Sequence, residues 1–173
     1  MTDTMNTATA LPRDETYLAT VRRAFARFPS GVVALVAVVD GHEIGMVASS
    51  FTVGVSADPP LVSVAVQKTS TSWPRLRAAA SIGASVFADD QAALARQMAG
   101  PDRDRRFEGV TLLSTRSDAR FVDGASTWFE CTVHDEVDAG DHTVALLEVI
   151  ALRTEEDRLP LIFHDSSFRH LAP

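Results

Sequence analysis

One cysteine, Cys131, in 173 residues excludes an internal disulfide framework and any cysteine-rich zinc site, and it suits a reducing, cytoplasmic setting. Long apolar runs are missing as well. The longest, Val32 to Val39, falls far short of the ~20 residues a helix needs to cross a bilayer, so no membrane span is expected. Basic charge is in deficit: 16 Lys and Arg against 23 Asp and Glu give a net charge of −7, which argues against nonspecific nucleic-acid binding. Met1 to Ala10 has neither a basic start nor a sustained apolar core, so residues 1–13 read as a flexible tail rather than a secretory signal. The chain holds no G-x-x-x-x-G-K loop, no G-x-G-x-x-G opening a helix and no G-x-S-x-G elbow, which removes the usual support for nucleotide hydrolysis and serine-esterase chemistry. Its five histidines are scattered, with no H-E-x-x-H pair, and no metal site is expected.

What is present fits a globular protein, with 46% hydrophobic and 23% charged residues, and the length suits one domain over residues 14–173. Asp14 is placed to cap a helix whose apolar positions Tyr17, Leu18, Val21, Phe25 and Phe28 recur at three- and four-residue spacing, ended by Pro29-Ser30-Gly31. The β-branched run Val32 to Val39, the Asp40-Gly41 turn and the segment Glu43 to Phe51 predict a hairpin. Val53 and Val55 predict a short strand before Asp58-Pro59-Pro60, and Leu61 to Val66 another. A helix is expected over Ser72 to Ala80, a strand over Ile82 to Phe87, and a second helix capped by Asp89 or Asp90 that runs through Met98 to Gly100-Pro101. Asp102 to Phe107 reads as a charged loop. Strands are expected from Ser126, across the Gly140-Asp141 turn into His142 to Leu152, and again at Leu159 to Phe163. Helices interrupt the strands so seldom that an antiparallel β-barrel with flanking helices explains the order better than a doubly wound parallel sheet.

The segment Gly45-Met46-Val47-Ala48-Ser49-Ser50-Phe51 puts small and hydroxyl-bearing residues where a barrel strand would carry bulky ones. Small side chains let a flat ligand approach the backbone, and serine hydroxyls can bind its polar atoms, which would suit a flavin. A serine-containing strand end packed on its neighbour is the alternative. Cys131, between Phe129 and Val133, reads as a buried thiol, and Arg103, Arg105 and Arg106, interleaved with Asp102, Asp104 and Glu108, read as a solvated loop from which Arg106 can reach a phosphate.

Seven pieces in order resemble the flavin reductase family with the FMN-binding split-barrel fold, the reductase component of two-component flavin-dependent monooxygenases. They are Phe28 to Val32, Gly45 to Phe51, Ser56 to Val62, Lys68 to Trp73, Ser85 to Gln91, Arg106 to Gly109 and Gly140 to His142. The resemblance implies a mainly β, antiparallel split barrel, FMN or FAD as flavin, and NADH or NADPH as hydride donor. It implies that Met46, Val47, Ala48, Ser49 and Ser50 lie along the flavin, that Val66, Gln67 and Lys68 follow it, and that Thr71 and Ser72 hold phosphate, with Arg106 and Phe107 beside them. His142 would stand near the nicotinamide as the catalytic residue. A partner oxygenase receiving reduced flavin, and a homodimer, are implied too. Val47 replaces a common Thr, Gln97-Met98 a common Arg-Phe, Ser85 a common Asn and Phe168 a common Tyr. Because the cofactors supply the reactive atoms, no acid–base triad is required. The same barrel also hosts flavin-binding modules without turnover and flavoproteins that reduce another acceptor.

Overall fold

A computed structural model describes Leu11 and residues 14–171, so the expected tail over residues 1–13 lies, Leu11 aside, outside the described residues. Helix α1 (Tyr17–Ala26) is followed by strands β1 (Ser30–Gly31), β2 (Val33–Val39), β3 (His42–Ala48), β4 (Thr52–Ala57) and β5 (Pro60–Gln67). Next come α2 (Trp73–Leu76), β6 (Ile82–Val86), a 3-10 turn at Asp89–Gln91 and α3 (Ala92–Ala99). Strands β7 (Leu112–Ser114), β8 (Arg120–Val122), β9 (Thr127–Ala139), β10 (His142–Thr154), β11 (Ile162–His164) and β12 (Ser167–Arg169) complete the chain.

Seven strands form one sheet in the order β3-β2-β6-β9-β10-β5-β4, every pairing antiparallel. Its two edge strands, β3 and β4, are consecutive in sequence, joined by Ser49, Ser50 and Phe51 alone. Laid flat, six inter-strand gaps would separate those edges by roughly 29 Å, whereas the four steps from Ala48 to Thr52 reach at most about 14 Å. The sheet must therefore curl until its edges meet. Ser50 spans the seam, its Oγ donating to the Ala65 carbonyl at 2.8 Å. Within the curl, Leu35, Ile44, Val62, Val64, Ile82, Cys131 and Leu147 share one buried core, which Trp73 and Leu76 of α2 also join. This is the expected split barrel, with the seam left unladdered between β3 and β5.

Strand β2 is buried on both faces. Val33, Leu35 and Ala37 point into the barrel, while Val32 before it with Ala34 and Val36 meets Ala95 and Met98 of α3, together with Phe87 and Leu161, in a second core. That double burial explains why Val32 to Val39 is apolar without alternation. Asp40 and Gly41 make the β2–β3 turn with φ of 52° and 77°, as an Asp-Gly turn between antiparallel strands should.

Local readings failed where tertiary partners decided. Asp14 accepts from Thr16 N–H and Oγ1 but leaves helix α1 uncapped, and α1 buries none of its residues: Phe25 is 73% exposed, and Phe28, just beyond the helix, 78%. Neither Asp89 nor Asp90 caps the second helix. Gln91, at the N-cap position, makes no side-chain cap to α3 either; its Oε1 accepts from Ala88 N–H at 2.9 Å and closes the 3-10 turn before the helix, while both Asp90 carboxylate oxygens accept from Arg158. Helix α2 stops at Leu76 rather than Ala80, where the Asp118 carboxylate draws the Ala80 N–H away. The short strands β7, β8 and β12 carried no alternation to announce them.

Strands β6 and β8 cross so closely that a Cβ on Gly83 would lie 2.1 Å from the Arg120 carbonyl oxygen. Gly83→Ala is expected to destabilise the fold by about 2 kcal/mol or more, whereas Gly31→Ala, whose Cβ meets nothing within 4 Å, should cost far less; urea unfolding of both variants checks this.

Candidate functional site

The seam and the turns around it gather most of the expected residues, but on different surfaces. On β3, alternate side chains diverge: Met46 and Ala48 pack toward the barrel core, while Val47 packs outward with Phe107 on the second core. Ala48 and Val66 are buried, so they offer a ligand their backbone only. Ser49, Ser50, Gln67 and Lys68 are exposed at the seam. Beside them, His142 pairs with Gln67 across the β10–β5 ladder, and the Lys68 N–H donates to the Asp141 carbonyl at 3.0 Å. The end of β5 and the tip of the β9–β10 hairpin are thereby locked together. Two contacts occupy groups that looked free in the sequence: the Lys68 ammonium pairs with Asp138, and His142 Nδ1 hydrogen-bonds the Asp141 carboxylate at 2.8 Å. That hydrogen bond, helped by the charges of His142 and Lys68, holds the Asp141 carboxyl below the usual carboxylate range.

Around the corner, Thr71, Ser72, Arg106 and Phe107 line a cleft of about 410 Å³, together with His42, Glu43, Ile44, Gly45, Arg75, Arg103 and Asp104. Arg106 is its centre. One terminal nitrogen donates to the Gly45 carbonyl and, at 3.3 Å, to Ser72 Oγ; the other donates to the Gly100 carbonyl at 3.3 Å. Its Nε is buried with no partner. Burial, reinforced by the positive charge of Arg103, pushes the Arg106 guanidinium below its ordinary pKa. An arginine held by carbonyls and a hydroxyl, with no carboxylate among its hydrogen-bond partners, keeps an unneutralised charge on the cleft wall, which suits an anion.

Gly45 makes this possible. A Cβ there would come within 2.7 Å of the Phe107 ring, so glycine lets Phe107 lie on β3 and brings its neighbour Arg106 to the strand. Gln97 of α3 holds the same loop from behind, its Nε2 donating to the Glu108 carbonyl at 2.7 Å and the Arg105 carbonyl at 3.2 Å. The residue that departs from the common Arg-Phe pair thus fastens the loop bearing Arg106. The other departures are structural: Met98 is buried, Ser85 Oγ accepts from Val122 N–H at 2.9 Å, and Phe168 lies edge-on to Phe163 under Arg96.

Thr71 and Ser72 precede a helix of only four residues, so its dipole adds little to anion binding; the Trp73 N–H is met by Ser70 Oγ, and the Ser72 hydroxyl makes no cap. The hairpin and α2 are tied through Glu136, which accepts from Trp73 Nε1 at 2.7 Å and pairs with Arg77 at 2.7 Å. Sequence reasoning missed Arg75 and Glu136. Arg75 stands three residues after Ser72, a helical spacing that placed it near the same turn; Glu136 carried no signal, since a glutamate in a strand is ordinarily solvated. Cys131 is buried, its thiol pushed up to about 12 by burial, which makes it a packing group.

The flavin reductase like domain family matches residues 25–172 of the chain. Actinorhodin polyketide dimerase of Streptomyces coelicolor is 39% identical over 156 residues, 88% of this chain and 85% of that protein. The NADH:FAD oxidoreductase of Streptomyces globisporus, solved with NAD and FAD fragments, superposes with a TM-score of 0.84 at 34% identity, covering 92% of this chain and 96% of that one. The flavin reductase component of a bacterial two-component tryptophan halogenase superposes at 0.82 with 32% identity, over 90% and 99% of the two chains. With a family match across most of its length, and its small-residue seam and guanidinium cleft on the same curled sheet, this chain belongs to the flavin reductase like domain family.

Proposed function

We propose that this chain is an NAD(P)H-dependent flavin reductase that reduces FMN or FAD and passes the reduced flavin to a partner oxygenase. The observation that carries it is Arg106: a half-buried guanidinium with no carboxylate among its hydrogen-bond partners, lining a cleft beside two hydroxyl residues, in a member of this family. Bound flavin supplies a ring that takes a hydride from the nicotinamide, and the chain's own residues hold and orient both molecules. Thr71, Ser72 and Arg106 hold the flavin phosphate. Ser49, Ser50 and Gln67 present hydroxyl, amide and backbone groups along the exposed seam. Phe107 lies against Gly45 in the lining of the same cleft. His142, fixed in orientation by Asp141, offers its remaining ring nitrogen to the nicotinamide donor. Lys68, already paired with Asp138, contributes positive charge rather than a direct grip.

The catalytic unit is the domain over residues 14–173, and it works as a homodimer. Edge strand β4 exposes Val53 and Val55, and β10 exposes Ile150 and Leu152; an apolar strand edge left bare invites pairing or aggregation unless another surface covers it. Among the described residues no helix is long and apolar enough to cross a membrane.

The primary test mixes purified protein with NADH and either FMN or FAD and follows nicotinamide oxidation; turnover with at least one flavin is expected, and unchanged NADH with both rejects the reading. Arg106→Lys keeps the charge and loses the planar fork, so it is expected to weaken flavin binding roughly ten- to hundredfold in a fluorescence titration, from the ~1.5–3 kcal/mol typical of charge-assisted hydrogen bonds. His142→Ala should raise KM for NADH roughly two- to tenfold while leaving the flavin Kd nearly as it was; equal effects on both substrates would remove His142 from its assigned place.

A further inference from the structure

The geometry points to a second nucleotide subsite: the cleft beyond Arg106 receives the adenosine diphosphate end of FAD, so that this chain prefers FAD to FMN. The inference rests on the reductase reading and concerns the part of the cleft that a single phosphate leaves unused.

Arg106 meets β3 at Gly45, and the cleft continues along that strand to His42. Three residues of strand add about 10 Å beyond the phosphate anchor. The whole cleft, about 410 Å³, falls in the range of sites that enclose a drug-sized ligand, whereas one phosphate on Thr71, Ser72 and Arg106 occupies only a corner.

The lining is that of a nucleotide. Arg75 and Arg103 face this cleft, and among the described residues neither forms an ion pair or a side-chain hydrogen bond. Their neighbours on the same elements are satisfied: Arg77 by Glu136 at 2.7 Å and Arg105 by Glu108 at 2.9 Å. Arg103 lies near enough to Arg106 for the two positive charges to repel. Such a like-charge arrangement is costly until an anion lies between its members. Glu43 and Asp104 line the cleft too. Carboxylates repel a bare phosphate but accept from ribose hydroxyls, as acidic residues do in dinucleotide sites. His42 at the exposed end offers a ring on which a base can stack.

NADH carries the same adenosine diphosphate group. Two placements favour the flavin. Thr71, Ser72 and Arg106, assigned to the flavin phosphate, line the same cleft as Arg103, so the next phosphate of the same molecule enters it. His142, the residue on the nicotinamide side, is absent from the cleft lining and sits on the β9–β10 hairpin.

The test titrates the full-length protein with FAD and with FMN by flavin fluorescence, and measures KM for NADH with FMN as acceptor, in wild type, Arg103→Ala and Arg75→Ala. The wild type is expected to bind FAD at least about tenfold more tightly than FMN, the factor one or two charge-assisted hydrogen bonds supply. Arg103→Ala should shrink that ratio at least about fivefold by weakening FAD, with Arg103→Lys recovering part of it, while KM for NADH stays within about twofold. Equal affinity for the two flavins, or a ratio that survives both alanine substitutions, overturns the subsite. A rise in KM for NADH in Arg103→Ala with FMN as acceptor assigns the cleft to the nicotinamide dinucleotide instead and overturns the FAD preference. Binding of neither flavin is a different result: it overturns the reductase reading, and this inference with it.

Discussion

Three residues, Ser49, Ser50 and Phe51, tie together the two edges of a seven-stranded sheet, and the rest of the molecule follows from that short reach. The sheet has to roll, and rolling gives β2 two buried faces and the barrel one enclosed core. It also leaves a seam where β3 and β5 approach without a ladder, bridged by the Ser50 hydroxyl. The seam is an opening produced by connectivity, and small side chains occupy it because the chain must pass there without filling it.

The second organising contact is longer in sequence. Arg106 reaches Gly45 and Ser72, positions 61 and 34 residues away, and so gathers the edge strand, the turn before α2 and the charged loop into one wall. Its cost is visible in the buried Nε and the depressed guanidinium pKa. Gly45 removes the side chain that would block it, Phe107 seals it, and Gln97 holds the loop from the helix side. The hairpin bearing His142 is fixed separately, through Lys68 N–H to Asp141 and through Glu136 to Trp73 and Arg77. Two braced walls thus flank the seam, joined to each other through α2.

Much of this was legible in the residues. The unbroken apolar run announced a doubly buried strand, Asp40, Gly41 and Gly140 made two hairpin turns through their positive φ, and the small-residue stretch marked the seam. The wall around Arg106 was legible only in pieces, since nothing local says that an arginine in a charged loop meets a glycine carbonyl on a distant strand. The unneutralised charge of Arg75 and Arg103 is likewise a property of which carboxylates fail to arrive. Caps misled for the same reason: Asp90 is drawn to Arg158, and the Gln91 amide bridges Ala88 N–H and, at 2.8 Å, the Asp123 carbonyl, so neither side chain caps α3. Short strands such as β7 and β8 owe their existence to neighbours, and three residues cannot display a period.

The taut span between Ala48 and Thr52 also restricts how this chain can diverge. Length can change freely within the solvated stretch around Arg116, where extra residues simply bulge into water. Adding or deleting one residue between β3 and β4 would alter the girth of the barrel and flip the serines to the opposite face. Heritable variation in ligand preference is therefore channelled into the arginine-bearing walls, while the narrow strap between the edges stays at constant length.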